Sequence, residues 1–220
     1  MRLVQTAKSE PSEATVVRLP SMVSTIRGAA TRDLCFDLEN RPLAYWYDGQ
    51  TTSEITAFGW KWADEDEVHS MLLKKDGRFL LETGRTLSDR KAYEAFTAVL
   101  SAAGLVYGHN IRKHDLPIFQ AGLLRRQLPI LPVLRTTDTL NDYPKRNGMS
   151  RSLENLAAMY DLEGEKYGMS QPAWEKANRL SDDGMEMARK RVVADVLLQE
   201  RLRAKLIELD ILRPSKVWNP

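Results

Sequence analysis

Short apolar runs separated by polar residues open the patterned part of the chain, which begins near residue 32. Residues 34–40 (LCFDLEN) predict a short buried strand. Residues 43–63 predict β-strands on both sides of an Asp-Gly turn at 48–49, and residues 78–84 (RFLLETG) extend the sheet. This half of the chain therefore predicts an antiparallel β meander.

Helical spacing of apolar residues dominates the second half, where it alternates with short apolar runs. Serine caps, a proline in a first turn and a glycine stop mark several helix ends. This alternation predicts an α/β fold, a mixed sheet in which parallel strands follow the meander and helices flank both faces. The predicted helices cover 88–104, 115–127, 150–162 and 184–209, the strands cover 105–110 and 133–140, and glycine and proline between 162 and 184 indicate a mobile loop.

Length and local composition suggest one folded domain with extensions. A chain of 220 residues amounts to one large domain, or a smaller domain with tails, at about 150 residues per domain. Residues 1–30 mix Ser, Glu, Thr, Lys and Pro without a sustained period and predict a flexible N-terminal arm. We expect the domain to occupy residues 31–212 and a C-terminal tail to occupy residues 213–220.

Composition narrows the classes of function. A single cysteine, Cys35, excludes disulfide scaffolds and thiolate metal sites, so a reducing cytoplasm is the expected location. Apolar runs stay shorter than the roughly 18 to 20 residues of a membrane span, and no signal-peptide pattern opens the chain, so no membrane association is expected. A net charge of +2 is too small to bind nucleic acid by overall charge, so a basic surface must be local.

Two acidic residues interrupt the first buried strand. Asp37 and Glu39 lie two residues apart, and the period of a strand places both on one face. Two like charges this close need a counter-charge, and hard carboxylate oxygens suit Mg²⁺ or Mn²⁺. An exposed strand end with both acids in water is the alternative interpretation.

Two further acids lie later in the chain. Asp115 starts a predicted helix directly after a strand, where a helix cap is the simple explanation. Asp195 lies within VVADVLL, so its position is partly buried and its carboxylate needs a partner. A buried ion pair with Arg151 or Arg203 is the structural alternative to a metal.

Taken in order along the chain, these acids and their neighbours resemble the DnaQ-like, or DEDD, superfamily of 3'-5' exonucleases, over residues 32 to 210. The spacing between His109 and Asp115 is closer to the exonuclease domains of family-B DNA polymerases, and the small size is similar to stand-alone bacteriophage exonucleases. The stretches that carry the resemblance are FDLEN (36–40), GHNIRKHDLP (108–117), TTDTL (136–140), SLENLAAMYDL (152–162) and RVVADVLL (191–198).

The resemblance implies a ribonuclease H-like fold and a metal-dependent exonuclease that releases nucleoside 5'-monophosphates. Asp37, Glu39, Asp115 and Asp195 would be the catalytic ligands of two Mg²⁺ or Mn²⁺ ions. The expected partners are single-stranded DNA or RNA 3' ends, with DNA favoured, and a DNA polymerase or replication complex. An exoribonuclease of the same fold and a catalytically silent nucleic-acid-binding relative are the alternatives.

The chain departs from the superfamily at the general base. Members carry a histidine five residues, or a tyrosine four residues, before the last aspartate, whereas this chain has Lys190 and Arg191 there. Arginine stays protonated and cannot accept a proton from water. Tyr167 and His114 are the candidates to replace the base.

Several residues are candidates for contact with nucleic acid, because lysine and arginine supply most backbone contacts. Each also has a structural alternative, such as a satisfied turn or a solvated basic face. For Trp46, Tyr47, Trp60 and Trp62 we favour core packing over stacking on bases. The candidates are His109, Asn110, His114, Arg151, Lys166, Lys190 and Arg191.

Overall fold

The computed structural model describes residues 32–44, 51–144, 148–164 and 167–220. Several predictions lie outside the described residues, namely the flexible arm at 1–30, the turn at 48–49, the roles of Trp46 and Tyr47, and the nucleic-acid contact of Lys166.

The described residues form one eight-stranded mixed sheet, which confirms the predicted α/β, ribonuclease H-like fold class. The first five strands are antiparallel to one another, the sixth and seventh run parallel to the first, and the eighth is antiparallel to the seventh, in the spatial order β5-β4-β3-β2-β1-β6-β7-β8. The strands are β1 (Asp33–Ala44), β2 (Thr51–Trp62), β3 (His69–Leu73), β4 (Arg78–Leu81), β5 (Thr86–Ser88), β6 (Leu105–Gly108), β7 (Leu134–Asp138) and β8 (Lys216–Trp218).

Five helices within the described residues flank this sheet, and the four that the apolar spacing predicts are present. Serine side chains cap four of the five by accepting a backbone N–H of the first turn. The helices are α1 (Asp89–Ala102), α2 (Asp115–Arg125), α3 (Leu153–Met159), α4 (Gln171–Asn178) and α5 (Asp182–Glu208).

Alternation along β1 directs its side chains to two different layers. The Phe36 ring points toward α1 and packs edge-on against Phe96, with ring centroids 5.8 Å apart. The Cys35 thiol lies on the other face, 3.5 Å from the Val196 carbonyl oxygen of α5. Asp37 shares the face of Cys35, so the acidic residues of β1 face α5.

The interpretation of residues 162–184 as a loop is wrong, because α4 forms within this segment. The Ser170 hydroxyl accepts from the Ala173 N–H, Pro172 lies in the first turn, and Ala173 and Ala177 are the buried positions. Two small buried residues in eight leave too little apolar periodicity to identify a helix, although the serine and the proline are ordinary signals of a helix start.

Part of the predicted C-terminal tail is a strand. Residues Lys216–Trp218 pair antiparallel with β7, and the Thr136 hydroxyl donates to the Lys216 carbonyl oxygen at 3.1 Å. Three residues are too short to show a strand pattern, so β8 depends on the neighbour with which it pairs. The domain boundaries at residues 30 and 212 stay predictions.

Trp60 packs in the core, as the sequence predicts. Its side chain is 2% exposed, its ring lies 5.6 Å from that of Phe96, and it stacks on His69 at 5.4 Å. Trp62 packs at the edge of the core beneath the guanidinium of Arg32. Within the described part of the chain, no helix combines the length and the apolar character that crossing a bilayer requires.

Candidate active site

Three carboxylates converge where β1 faces α5. Asp37 and Glu39 come from alternate positions of β1, and Asp195 comes from the buried face of α5. One oxygen from each lies within 4.8 Å of the others. The same-face arrangement that the strand period predicts is therefore present, and the solvated strand end is not.

Asp115 adjoins this cluster from α2. It is the first residue of the helix and is 3% exposed, and its Oδ1 accepts from the Leu38 N–H of β1 at 3.1 Å. Of the charges that raise the pKa of Asp37, that of Asp115 is the largest contributor. Its carboxylate thus links α2 to β1 beside the cluster.

Burial and mutual repulsion make these carboxyl groups reluctant to ionise. Burial raises the pKa of Asp37 well above its usual range, and the neighbouring carboxylates raise it further. Burial also raises the pKa of Glu39 to about 7 against the opposing effect of Arg191, and raises the pKa of Asp115. Oxygen donors in such a set suit a hard divalent cation.

Arg191 brings a positive charge into contact with two carboxylates of this cluster. Its Nε donates to Glu39 Oε1 at 2.5 Å, and its Nη2 lies 3.7 Å from Asp195 Oδ2. Two further contacts hold the guanidinium from the other side: Nη1 donates to the Tyr167 carbonyl oxygen at 3.1 Å, and Cζ lies 5.2 Å from the centroid of the Trp174 ring. The position four residues before Asp195 therefore holds a cation paired with the acids.

The ion pair of Asp195 differs from the alternatives that the sequence offered. Arg151 donates instead to the Leu140 carbonyl oxygen at 2.6 Å, after the end of β7. Arg203 donates to Asp33 Oδ2 at 2.8 Å, at the beginning of β1. The guanidinium near Asp195 is that of Arg191, which lies one helical turn earlier on α5. The i, i+4 spacing of the two residues could have indicated this pair.

His114 lies beside Asp115 at the mouth of the site. Its Nδ1 is 3.5 Å from Asp115 Oδ2, and its side chain is 46% exposed. The hydrogen bond to Asp115 raises the pKa of His114 above its usual range. This contact favours the protonated form of His114. A protonated His114 is suited to pair with the Asp115 carboxylate, and is less suited to act as a base. The general base, Tyr167 or His114, stays a prediction.

Asp138 is a residue of this region that the sequence did not single out. Its carboxylate is fully buried at the end of β7 and accepts the backbone N–H groups of Asn110 and Arg112 at 2.9 and 3.0 Å. Asn110 has a φ of 70°, the left-handed conformation that a non-glycine residue seldom adopts. Asp138 thus shapes the loop that leads to Asp115; its only signal was an acid at the end of an apolar run.

Gln199 is a second residue that sequence reasoning missed. Its Nε2 donates to Asp37 Oδ1 at 2.8 Å, and its Oε1 accepts the His109 N–H at 3.2 Å. A Cβ on Gly108 would lie 2.9 Å from this Oε1 and 2.8 Å from the Phe36 carbonyl oxygen, so glycine leaves room for the contact. A polar residue on the buried face of α5, one turn after Asp195, was the available signal.

Among the residues predicted to contact nucleic acid, some side chains form hydrogen bonds within the protein and others are exposed. His109 Nδ1 lies 2.8 Å from the Thr139 hydroxyl, and the Asn110 side-chain oxygen accepts from Asn141 at 3.4 Å. Lys190 is exposed on α5. Contact with nucleic acid stays a prediction for all of these residues.

No protein-family model matches the chain, and no curated protein matches it. Among solved structures, the chain is similar to the family B DNA polymerase from the hyperthermophilic archaeon Pyrobaculum calidifontis, with a TM-score of 0.56 and 14% sequence identity. The match covers 83% of this chain and 25% of the polymerase chain, so this chain corresponds to about a quarter of the polymerase. The chain therefore shares the fold of that part of a family B DNA polymerase.

Proposed function

We propose that this protein is a metal-dependent 3'-5' exonuclease that releases nucleoside 5'-monophosphates from single-stranded nucleic acid, with DNA favoured over RNA. The observation that carries the proposal is the convergence of Asp37 and Glu39 from β1 and Asp195 from α5 on one partly buried site beside Asp115. The fold shared with part of a DNA polymerase supports a nucleic-acid substrate and favours DNA.

The four carboxylates fit a centre for divalent cations. All donors are oxygens, and burial and the neighbouring carboxylates raise the pKa values of Asp37 and Glu39, which favours binding of a cation beside them. We propose that Asp37, Glu39, Asp115 and Asp195 hold two Mg²⁺ or Mn²⁺ ions. Such ions acidify a water molecule and stabilise the leaving 3'-oxygen when they are bound.

Two further polar residues orient the groups that form this centre. Gln199 fixes the Asp37 carboxylate, and Asp138 fixes the loop before Asp115. Buried polar supports of this kind hold ligands in one geometry. A site that takes one strand requires a duplex end to fray first, which is why we propose an unpaired substrate.

One observation favours a catalytically silent nucleic-acid-binding protein as the second candidate. Arg191 occupies the place of the general base and pairs with two of the carboxylates. Loss of a general base lowers rates about a hundred- to ten-thousand-fold. The silent protein would bind oligonucleotides without releasing mononucleotides.

Labelled single strands test the proposal. Purified protein is incubated with DNA and RNA oligomers labelled at either end, in EDTA, Mg²⁺ or Mn²⁺, beside an Asp195→Asn variant. Glu208→Gln is the matched control, because Glu208 is an exposed carboxylate on the same helix, where it pairs with Lys205 at 2.8 Å.

The proposed enzyme releases mononucleotides from the 3' end with divalent cations, and Asp195→Asn abolishes release while Glu208→Gln retains it. Faster release from RNA identifies the exoribonuclease instead. Binding without release under all conditions supports the silent protein, and equal release by wild type and Asp195→Asn contradicts this active site.

A further inference from the structure

We propose that Arg191 is a built-in counter-cation that competes with divalent cations for Glu39 and Asp195. This inference deepens the proposed function and rests on it, because it requires that the carboxylate cluster binds metal. It assigns Arg191 a role as a residue that sets the affinity of the site for metal.

The position of the guanidinium carries the inference. Arg191 Nε donates to Glu39 Oε1 at 2.5 Å, and Nη2 is 3.7 Å from Asp195 Oδ2. Both acids belong to the three-carboxylate cluster, and the Arg191 side chain is only 17% exposed. A cation already engages two of the three groups that would bind metal.

Metal binding and this ion pair oppose each other for a physical reason. A divalent cation on Glu39 and Asp195 would repel the guanidinium and take the same carboxylate charge. Each state therefore weakens the other, and the free energy of the ion pair is subtracted from that of metal binding.

A second set of partners lets the guanidinium remain nearby once the acids bind metal. Nη1 donates to the Tyr167 carbonyl oxygen at 3.1 Å, and the face of Trp174 lies 5.2 Å from Cζ. Neither contact involves a carboxylate, so neither needs to be broken. Arg191 would then keep Nε and Nη2 available for a substrate phosphate, which a guanidinium binds bidentately.

Calorimetry with Mn²⁺ alone tests the competition without recourse to nuclease activity. The proteins are the full chain, Arg191→Gln, which removes the charge and keeps hydrogen-bond donors, and Arg191→Lys, which keeps the charge. Lys205→Gln is the matched control, since Lys205 is on the same helix and pairs with Glu208. Thermal unfolding in EDTA and in Mn²⁺ is the second measurement.

Arg191→Gln is expected to bind Mn²⁺ about tenfold more tightly than the wild type, the size of effect that one nearby charge has on a buried carboxylate. In EDTA, this variant should unfold at a lower temperature than the wild type. Mn²⁺ should raise the unfolding temperature of the variant by more than it raises that of the wild type. Arg191→Lys should fall between the two, and Lys205→Gln should match the wild type.

Other outcomes overturn the inference in distinguishable ways. If Arg191→Gln and the wild type bind Mn²⁺ equally, or the variant binds more weakly, Arg191 does not compete, while the metal centre stands. If no protein binds Mn²⁺, the proposed metal centre fails and the competition fails with it. Should Arg191→Gln not fold, Arg191→Lys decides: tighter binding than the wild type supports the inference, and equal or weaker binding contradicts it.

Discussion

Gln199 donates through Nε2 to Asp37 Oδ1 at 2.8 Å and thereby joins the middle of α5 to the central strand of the sheet. The same carboxamide accepts the His109 N–H at 3.2 Å, so one buried side chain connects three elements. Its 1% exposure leaves little room for another orientation. Asp37 is therefore oriented by a residue that binds neither metal nor substrate in the proposed reaction.

We expect Gln199→Met to impair both stability and activity. Methionine fills a similar volume but provides neither the donor for Asp37 nor the acceptor for His109. Loss of the hydrogen bonds to Asp37 and His109 is expected to lower the free energy of unfolding by about 1 to 3 kcal/mol, measured in urea. Initial rates should fall about tenfold or more as Asp37 loses its orientation. A variant as active as the wild type would show that Asp37 needs no support from α5.

We expect Asp138→Asn to destabilise the loop before α2. The new NH₂ would replace an oxygen, Oδ2, that accepts the Arg112 N–H at 3.0 Å and Asn141 Nδ2 at 2.8 Å. The new NH₂ would face the Arg112 N–H and the Asn141 amide, which are both donors. This conflict should lower the free energy of unfolding by about 2 to 4 kcal/mol. Asp183→Asn is the control, with a side chain that is 78% exposed. Urea midpoints that fall equally in both variants would contradict this role.

Local signals in the sequence predicted most of the sheet and the faces on which the acidic residues lie. The two-residue spacing of Asp37 and Glu39 fixes one face of a strand, and the apolar neighbours of Asp195 fix the buried face of a helix. Both rules depend only on backbone geometry. The core position of Trp60 follows from the tendency of aromatic residues in strands to pack in the core.

The partners of the supporting residues could not be predicted because these contacts are long-range. Gln199 reaches a residue 162 positions earlier, and Asp138 organises a loop that precedes it by 26 to 28 positions. No local pattern marks such partners. Arg191 shows the same limit: the sequence gives its charge, whereas its pairing with Glu39 depends on how α5 crosses β1.

The His69 imidazole is expected to make stability depend on pH. Its hydrogen bond to Glu82 at 3.2 Å, with a further contact to Glu65 at 3.4 Å, raises the pKa of His69 above its usual range. The folded state therefore holds the proton more tightly than the unfolded state. This stabilisation is complete below the usual histidine pKa and is lost as the pH rises through the raised value.

His69→Gln isolates this contribution. The variant also loses stacking on Trp60, which lowers its unfolding temperature at both pH values. The unfolding temperature of the wild type should exceed that of the variant by roughly 2 to 4 °C more at pH 5.5 than at pH 8.5. A difference that stays constant, or grows toward high pH, would contradict the assigned ion pairs.

The buried Asp37 carboxylate is expected to destabilise the metal-free protein. Burial and three neighbouring carboxylates raise the pKa of Asp37 well above its usual range. The folded state therefore binds this proton more tightly than the unfolded state, and the contribution is lost as the pH rises from the usual aspartate value through the raised value of the folded state. Asp37→Asn removes the charge, and asparagine Oδ1 can still accept from Gln199.

In EDTA, Asp37→Asn should raise the free energy of unfolding by about 1 to 2 kcal/mol at pH 8, and by less at pH 5, because the wild-type carboxyl is more protonated there. Nuclease activity should be lost in the same variant. Asp183→Asn, at an exposed position of α5, should show neither effect. A less stable Asp37→Asn protein, or a gain of equal size at both pH values, would contradict this prediction. Either result would mean that the Asp37 carboxyl ionises in the folded state at no cost in stability. The cluster would then not favour an added cation.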